Sequence, residues 1–447
     1  MVKETGKRVF KATIEPFRRF INVESSAGIV LFAMTILALL WANSPWSETY
    51  FEILNTKFSV GIGDWAISKS LLIWINDALM AVFFFVVGLE IKREVMAGEL
   101  STMKKAALPI AAAAGGMILP VSIFFILNQG GEGMEGWGIT MATDIAFTLG
   151  ILKLIGNRVP LSLKVLLTAF AIVDDIGAIV VIAIFYSGSI PISLMAIAAG
   201  LYFILIIFNF FDVRHPVLYL IIGIALWYVF LLAHIHPTLA GVLAAFTIPI
   251  TRKIDLPLFL DRMNSGLQQF SSIRLPGAHV MTNEQLSSLD YLERSIEEVR
   301  SPLQKLEHSL HEVVLYVVMP VFALANAGVV IGSDFFQILA SPLTIQIMLG
   351  LLLGKLFGIA IFSWLAVKLG LAQLPDDLQW THIIGVGFLG AVGFTMALFI
   401  SNLAFTQGGQ EELLNQAKVG ILVCSFVAGL IGYIWLSRTL KKPADVE

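Results

Sequence analysis

The chain is 447 residues long, 57% hydrophobic and only 14% charged, with a formal net charge of −3. A soluble domain carries roughly a quarter charged residues, so most of this surface faces something other than water, and a bilayer crossed by helices of about 20 apolar residues each accounts for it. The near-neutral balance argues against a nucleic-acid surface, and the single cysteine, Cys424, excludes a disulfide framework or a cysteine metal site.

In chain order, the basic and mixed stretch 1–24 reads as a retained cytoplasmic tail, because the apolar run after it has no evident cleavage site. Long apolar runs follow at about 25–43, 71–91, 106–127, 137–154, 161–186, 192–211, 215–233 and 234–250. They resume at 310–330, 343–368, 381–404 and 417–437, before a cytoplasmic tail at 438–447. The pattern predicts an all-α polytopic membrane protein with about twelve spans in one domain over 25–437. The seventh and eighth runs nearly touch at His234–Pro237, so counts of eleven and thirteen stay open. With both termini cytoplasmic, every lysine and arginine except Lys57, Lys69, Lys418 and Lys355 falls in a cytoplasmic segment, as the positive-inside rule requires.

Between the first two runs, 44–70 contains two β-prone stretches separated by glycines, which predicts a small external β-hairpin. The second run carries Asp77 beside Asn76 near its external end, on a possible cation path. Glu90, Arg93 and Glu94 stand at its cytoplasmic end, where helix-end charges are at least as good a reading as transport. The fourth run places Asp144 near its middle, and the fifth centres on AIVDDIGAIV, with Asp174 and Asp175 in an otherwise apolar segment. His236, near an external helix end, fits a structural role better than a metal ligand. The loop 251–309 contains TNEQLSSLDYLERSIEEV, with a Thr282–Gln285 capping-box pattern and Leu286, Leu289, Leu292, Ile296 and Val299 at helical spacing. It predicts an amphipathic helix ending near Pro302. The tenth run centres on Lys355.

Three spans thus place ionisable groups at mid-depth, where each costs several kcal/mol unless paired or wetted. A single Lys–Asp salt bridge leaves two carboxylates uncovered. Dry carboxylates in excess of their cation partners must hold a proton or a small hard cation, and sodium and lithium suit carboxylate and hydroxyl oxygens better than transition metals do. Competition of H⁺ and Na⁺ for one site, exposed alternately to the two sides, is exchange.

The fourth and eleventh runs, GWGITMATDIAFTLGILKL and THIIGVGFLGAVGFTMALFISNLA, are rich in glycine and threonine, and AFTLGI (146–151) resembles GFTMAL (393–398). Such interrupted spans in two halves point to a site made from discontinuous helices. Their offset of seven spans makes 3–5 and 10–12 an inverted-topology repeat, with the two broken helices crossing at the midplane. Asp144 would then offset the positive helix ends and Lys355 the negative ones.

These residues resemble the NhaA family of sodium/proton antiporters. ATDIAF (142–147), AIVDDIGAI (171–179), WINDALMAVFF (74–84), GLEIKRE (88–94), HPTLAGV (236–242), FALANAG (322–328), LGKLFGI (353–359) and GFTMALFI (393–400) are similar to its signature stretches and lie in its order. The resemblance implies a pH-regulated, electrogenic Na⁺(Li⁺)/H⁺ antiporter of a bacterial inner membrane, serving Na⁺ extrusion and pH homeostasis, not an enzyme and without a cofactor. It implies Na⁺ at Asp174, Asp175 and Thr143, with Thr143 and Asp144 as its broken-helix pair and Lys355 paired with the first aspartate, Asp174. It further implies a cytoplasmic pH-sensing cluster of Glu90, Arg93, Glu94, Glu307, His308 and His311, and a homodimer through the external hairpin. The loop 251–306 is longer than the family's pattern, which bears on regulation more than on transport. Of the rival readings, an intramembrane aspartyl protease fails because the sole Gly-Ile-Gly-Asp, 61–64, lies in the hairpin, and a DDxxD prenyl-transfer enzyme fails on spacing. A sodium-coupled symporter of an organic solute remains and would need a roomier polar cavity.

Overall fold

The structure, a computed structural model, describes residues 26–61, 67–188, 191–272, 281–406 and 409–440. The predicted N-terminal tail, the end of the C-terminal tail and most of the stretch 61–64 lie outside the described residues.

Helix α1 (Ser26–Ala42) turns by 111° into α2 (Ser47–Asn55), which leads to the antiparallel pair β1 (Lys57–Val60) and β2 (Ile67–Ser70), in register Lys57↔Ser70 to Val60↔Ile67. The predicted hairpin is this sheet. Long helices follow: α3 (Leu71–Ala97), α4 (Met103–Asn128), a 3₁₀ segment Met134–Met141 running into α5 (Ile145–Ile155), α6 (Leu161–Phe185) and α7 (Ile192–Phe210). After them come α8 (Pro216–Leu232), α9 (Thr238–Thr247), α10 (Leu256–Ser272) and α11 (Asn283–Val299). The chain ends with α12 (Pro302–Asn326), short α13 (Phe335–Leu339), α14 (Pro342–Lys368), α15 (Trp380–Gly390), α16 (Phe394–Phe405) and α17 (Glu411–Thr439).

Among the described residues eight of these helical segments are long and apolar enough to cross a membrane, and ten if each bent pair is one span. α8 and α9 are apolar but shorter. The chain is therefore a multi-pass, all-α membrane protein with a small two-stranded sheet. Exposed Leu, Ile and Phe side chains on α7 and α8, such as Phe203, Leu220 and Ile224, belong to the lipid-facing surface of such a protein.

Close backbone approach fixes the arrangement around α14. A Cβ on Gly115 of α4 would lie 2.1 Å from the Gly358 carbonyl of α14, and one on Gly354 would lie 2.4 Å from Pro120 Cα. Glycine permits this contact, which packs helices where no hydrophobic effect drives them together. Gly354 and Gly358 flank Lys355, so the α4–α14 crossing sets where that lysine enters the core.

The segment 251–309 differs from expectation in two ways. It holds two helices, α10 and α11 packed together, where one was predicted. The α11 capping box forms as read, with Thr282 and Gln285 exchanging both bonds. Yet its buried face is Gln285, Ser288, Leu292 and Ser295, while Leu286, Leu289 and Ile296 are exposed. Small side chains let α10 approach on that face, which apolar periodicity alone does not reveal.

Candidate ion site

The two glycine-rich runs both break where they meet. Residues 142–144 are extended between the 3₁₀ segment and α5, and α15 bends by 42° into α16 across 391–393. The breaks are laced together: the Asp144 N–H donates to Val392 O at 2.8 Å, and the Thr143 hydroxyl donates to Gly390 O at 2.8 Å. Asp144 caps two helix starts at once. Its Oδ1 accepts from Phe147 N–H at 2.9 Å, and its Oδ2 accepts from Thr395 N–H at 3.0 Å and the Thr395 hydroxyl at 2.5 Å. A carboxylate there answers the unpaired N–H groups and positive ends of both α5 and α16.

Asp174 and Asp175 lie on α6, 1% and 2% exposed, and Lys355 of α14 is fully buried. The Lys355 ammonium donates to both oxygens of Asp174, at 2.9 and 2.8 Å, and stands 5.8 Å from the centre of the Phe170 ring. Lys355 is thus directed to the first aspartate, the partner that the family resemblance implied, and makes its ion pair there rather than at the negative helix ends. Thr143 also lies against Asp174. Asp175 differs from both: its Oδ2 is buried and has no hydrogen-bond partner among the described residues.

A narrow cavity of about 100 Å³ leads from the Glu90–His311 end to Asp144 and Asp175, lined among others by Phe83, Val87, Leu149, Lys153 and Met396. A larger cavity of about 570 Å³ lies at the hairpin end, lined among others by Lys69, Asn76, Asp77, His234, His236, Phe399, Asn402 and Thr406, and does not include Asp144, Asp174 or Asp175. His236 pairs its Nδ1 with Thr238 Oγ1 at 2.6 Å, a structural contact. Asp77 pairs with Lys69 at 3.1 Å.

At the first cavity's mouth Arg93 Nε bonds both oxygens of Glu307 (2.9 and 3.0 Å), its Nη1 reaches Glu94 at 2.7 Å, and His311 Nδ1 lies 3.4 Å from Glu90. His308 of the predicted cluster is exposed and forms no ion pair with these groups among the described residues. Three π-turns, at Ile75–Leu79, Val314–Val318 and Gly350–Gly354, border Asp77, the first cavity and Lys355, in keeping with the frequent use of such bulges at functional sites.

Sequence reading missed three residues here. Thr395 holds Asp144, and its signal was the shared Phe-Thr of AFTLGI and GFTMAL. Lys153 lines the first cavity and Lys69 meets Asp77; nothing in the sequence separated either from ordinary helix-end or hairpin lysines.

The chain matches the Na⁺/H⁺ antiporter 1 family over residues 18–436. It belongs to that family. It is 46% identical over 97% of its length to Na(+)/H(+) antiporter NhaA 1 of Saccharophagus degradans, covering 93% of that protein. To the Na(+)/H(+) antiporter NhaA of Oleidesulfovibrio alaskensis it is also 46% identical, over 97% of this chain and 96% of that one. The protein of the same name from Sulfurimonas denitrificans is 44% identical over 98% of both. These relatives are named as transporters, not enzymes. Among the described residues no three His, Cys, Asp or Glu side chains cluster as a metal site would.

Proposed function

We propose that the protein exchanges Na⁺, or Li⁺, for H⁺ across a bacterial inner membrane, electrogenically and under pH control, for Na⁺ extrusion and pH homeostasis. The observation that carries this reading is the buried oxygen of Asp175, without a hydrogen-bond partner among the described residues, at the end of a cavity that runs to Glu90 and His311. Of the three carboxylates at the centre, Asp144 is satisfied by three hydrogen bonds and Asp174 by Lys355. Only Asp175 lacks a fixed partner, so a proton or a cation must cover its charge.

Na⁺ entering by the cavity meets Asp175 first. Thr143 and Asp174 stand ready to complete its oxygen shell once Lys355 releases Asp174, and when the ion leaves, a proton on Asp175 and the Lys355 ammonium back on Asp174 restore the starting state. Cation binding releases the Asp175 proton and, where the freed Lys355 gives up its own, a second one, so more than one proton moves for each cation and the exchange is electrogenic. The roomier polar cavity that a symporter of an organic solute would need does not reach the paired aspartates, and the one that reaches Asp175 is about 100 Å³.

In this reading α8 and α9 join the longer helices to make twelve spans with both termini cytoplasmic. The runs 106–186 and 343–437 form the inverted repeat, with the broken helices crossing at the midplane. The Glu90–His311 end is then cytoplasmic. Glu90, Arg93, Glu94, Glu307 and His311 form the pH-responsive mouth, where a histidine near neutral titration is the natural trigger. His308 would act only from solvent. The hairpin is external, and its exposed β1 offers an unpaired edge to the same edge of a second copy, giving a homodimer.

The test uses everted membrane vesicles of a host without its own antiporters, energised to build a proton gradient that a ΔpH-sensitive dye reports. Na⁺ and Li⁺ collapse the gradient in the wild type, and Asp174→Asn and Asp175→Asn each abolish the response. Silence toward every alkali cation would overturn the reading.

A further inference from the structure

The cavity at the hairpin end is larger than the one that reaches Asp175, and the exchange described above does not use it. We propose that it holds a second binding site for a small hard cation, centred on Asp77, with the Lys69 ammonium as a tethered competitor for that site. The inference rests on the cation-exchange reading and extends it to the opposite face.

Asp77 sits in the π-turn Ile75–Leu79. The Trp227 indole of α8 donates to its backbone carbonyl at 3.2 Å. The bulge turns Asn76 and Asp77 to the cavity wall. A chain of carboxamides fixes that wall: Asn402 Nδ2 donates to Asn326 Oδ1 at 2.9 Å, and Asn326 Nδ2 donates to Asn76 Oδ1 at 2.8 Å. Asn402 gives its other proton to Leu398 O at 2.8 Å, so its own oxygen, on a residue lining the cavity, has no donor among the described residues. The cavity of about 570 Å³ is bordered by a carboxylate, an amide oxygen and the Thr406 hydroxyl, the oxygen types that a hard monovalent cation takes. Asn402 and Thr406 belong to α16 and its end, the half-helix whose start is capped by Asp144.

Lys69 occupies this place in the present state, 3.1 Å from Asp77. Its pair differs in kind from Lys355–Asp174. The side chains of Lys69 and Asp77 are 34% and 17% exposed, against 0% and 1% for the central pair. A half-hydrated ion pair is close to break-even and yields to a competing ion, whereas breaking a dry one strands a charge. Strand β2 delivers the lysine, and Trp74 anchors the hairpin by donating to Phe58 O at 2.8 Å. The backbone at Lys69 is held while its flexible stem leaves the ammonium free to swing. The hairpin thus acquires a task beyond contact between copies.

The experiment measures half-saturating Na⁺ separately at each face, in right-side-out and everted vesicles, at one pH and one ionic strength because His234 and His236 share the cavity. Lys69→Gln lowers the half-saturating concentration at the hairpin face by about fivefold, the factor an exposed ion pair at the upper end of its range can impose. It leaves the opposite face and the saturated rate unchanged. Lys69→Arg behaves as wild type, and Asp77→Asn raises the value at the hairpin face only. An unchanged or raised value in Lys69→Gln, or equal changes at both faces, overturns the proposal and makes the pair a structural clasp. Absence of Na⁺-coupled proton movement in the wild type would sink the exchange reading instead. The second site is then read by ²³Na NMR line broadening on purified protein carrying Asp174→Asn and Asp175→Asn: added Lys69→Gln increases the broadening if the site exists and leaves it unchanged if it does not.

Discussion

At the scale of single residues, the centre of this protein separates three buried carboxylates by their partners. Asp144 is a structural anion at two helix starts, Asp174 is neutralised by Lys355, and Asp175 is left open. The dry Lys355–Asp174 pair is costly to break from one side, because the survivor is then an unpaired buried charge, worth about 3–5 kcal/mol. Lys355→Met therefore lowers the thermal midpoint of the purified protein in detergent, and Asp174→Asn in the same chain restores much of it. If the two losses simply add, the residues are not coupled and the pairing is wrong. The sequence exposed this centre because depth along an apolar run is readable: Asp174, Asp175, Asp144 and Lys355 all fall near run middles. Depth alone could not say which aspartate meets the lysine; the family resemblance is what implied the first, Asp174. Adjacent helix residues point about 100° apart, and the azimuth that presents Asp174 rather than Asp175 to α14 is fixed only by packing.

At the scale of elements, two features carry the most consequence. The α4–α14 crossing depends on Gly115 and Gly358, where a new Cβ would meet backbone that cannot move aside. Gly358→Val is expected to cost more than about 3 kcal/mol, beyond ordinary overpacking, and to abolish Na⁺-dependent exchange by displacing Lys355 three residues away. Gly200→Ala on α7, whose Cβ meets nothing within 4 Å, is the matched control and is expected to be neutral. Thermal midpoints and vesicle transport of the two variants check this.

The second feature is the α10–α11 pair, clasped by Glu298, whose oxygens meet Lys253 Nζ at 2.5 Å and Arg262 Nη1 at 2.7 Å. Hydrogen bonds from Lys253 and Arg262 hold the Glu298 carboxyl below its ordinary value. A depressed carboxylate stabilises above its unfolded value, near pH 4.3, and that contribution is lost as pH falls through the folded one. For an exposed clasp it amounts to about 0.2–1 kcal/mol. Amide exchange within 256–299 should then quicken below about pH 4.3 relative to α14, and Glu298→Gln should remove that difference. Sequence periodicity found α11 and its capping box but misjudged its inner face, because Ser288 and Ser295 are buried by their small size while larger leucines stay outside. Hydrophobicity alone does not rank positions where close approach decides.

At the scale of the whole molecule, one cavity reaches Asp144 and Asp175 and the other stops at Phe399 and Asn402. Of these two, therefore, the cavity at the Glu90–His311 end gives the central site a route and the one at the hairpin end does not. Exchange requires the reverse state as well, and thiol accessibility can find it. The sole cysteine, Cys424, is buried, so Cys424→Ala supplies a silent background. Leu149→Cys in the first cavity and Leu403→Cys in the second then report access from each face. At rest an impermeant reagent labels Leu149→Cys only from the Glu90–His311 face and Leu403→Cys only from the hairpin face. Under turnover, with Na⁺ and a proton gradient of the productive sign, a protein that alternates exposes Leu149→Cys from the hairpin face during part of each cycle. Labelling there should rise with Na⁺ and vanish when Asp175→Asn is added. A label that never crosses, in a protein that still exchanges ions, would mean that a fixed path and not alternation carries the cation, and Lys69–Asp77 would then stand in that path rather than at a gate to it.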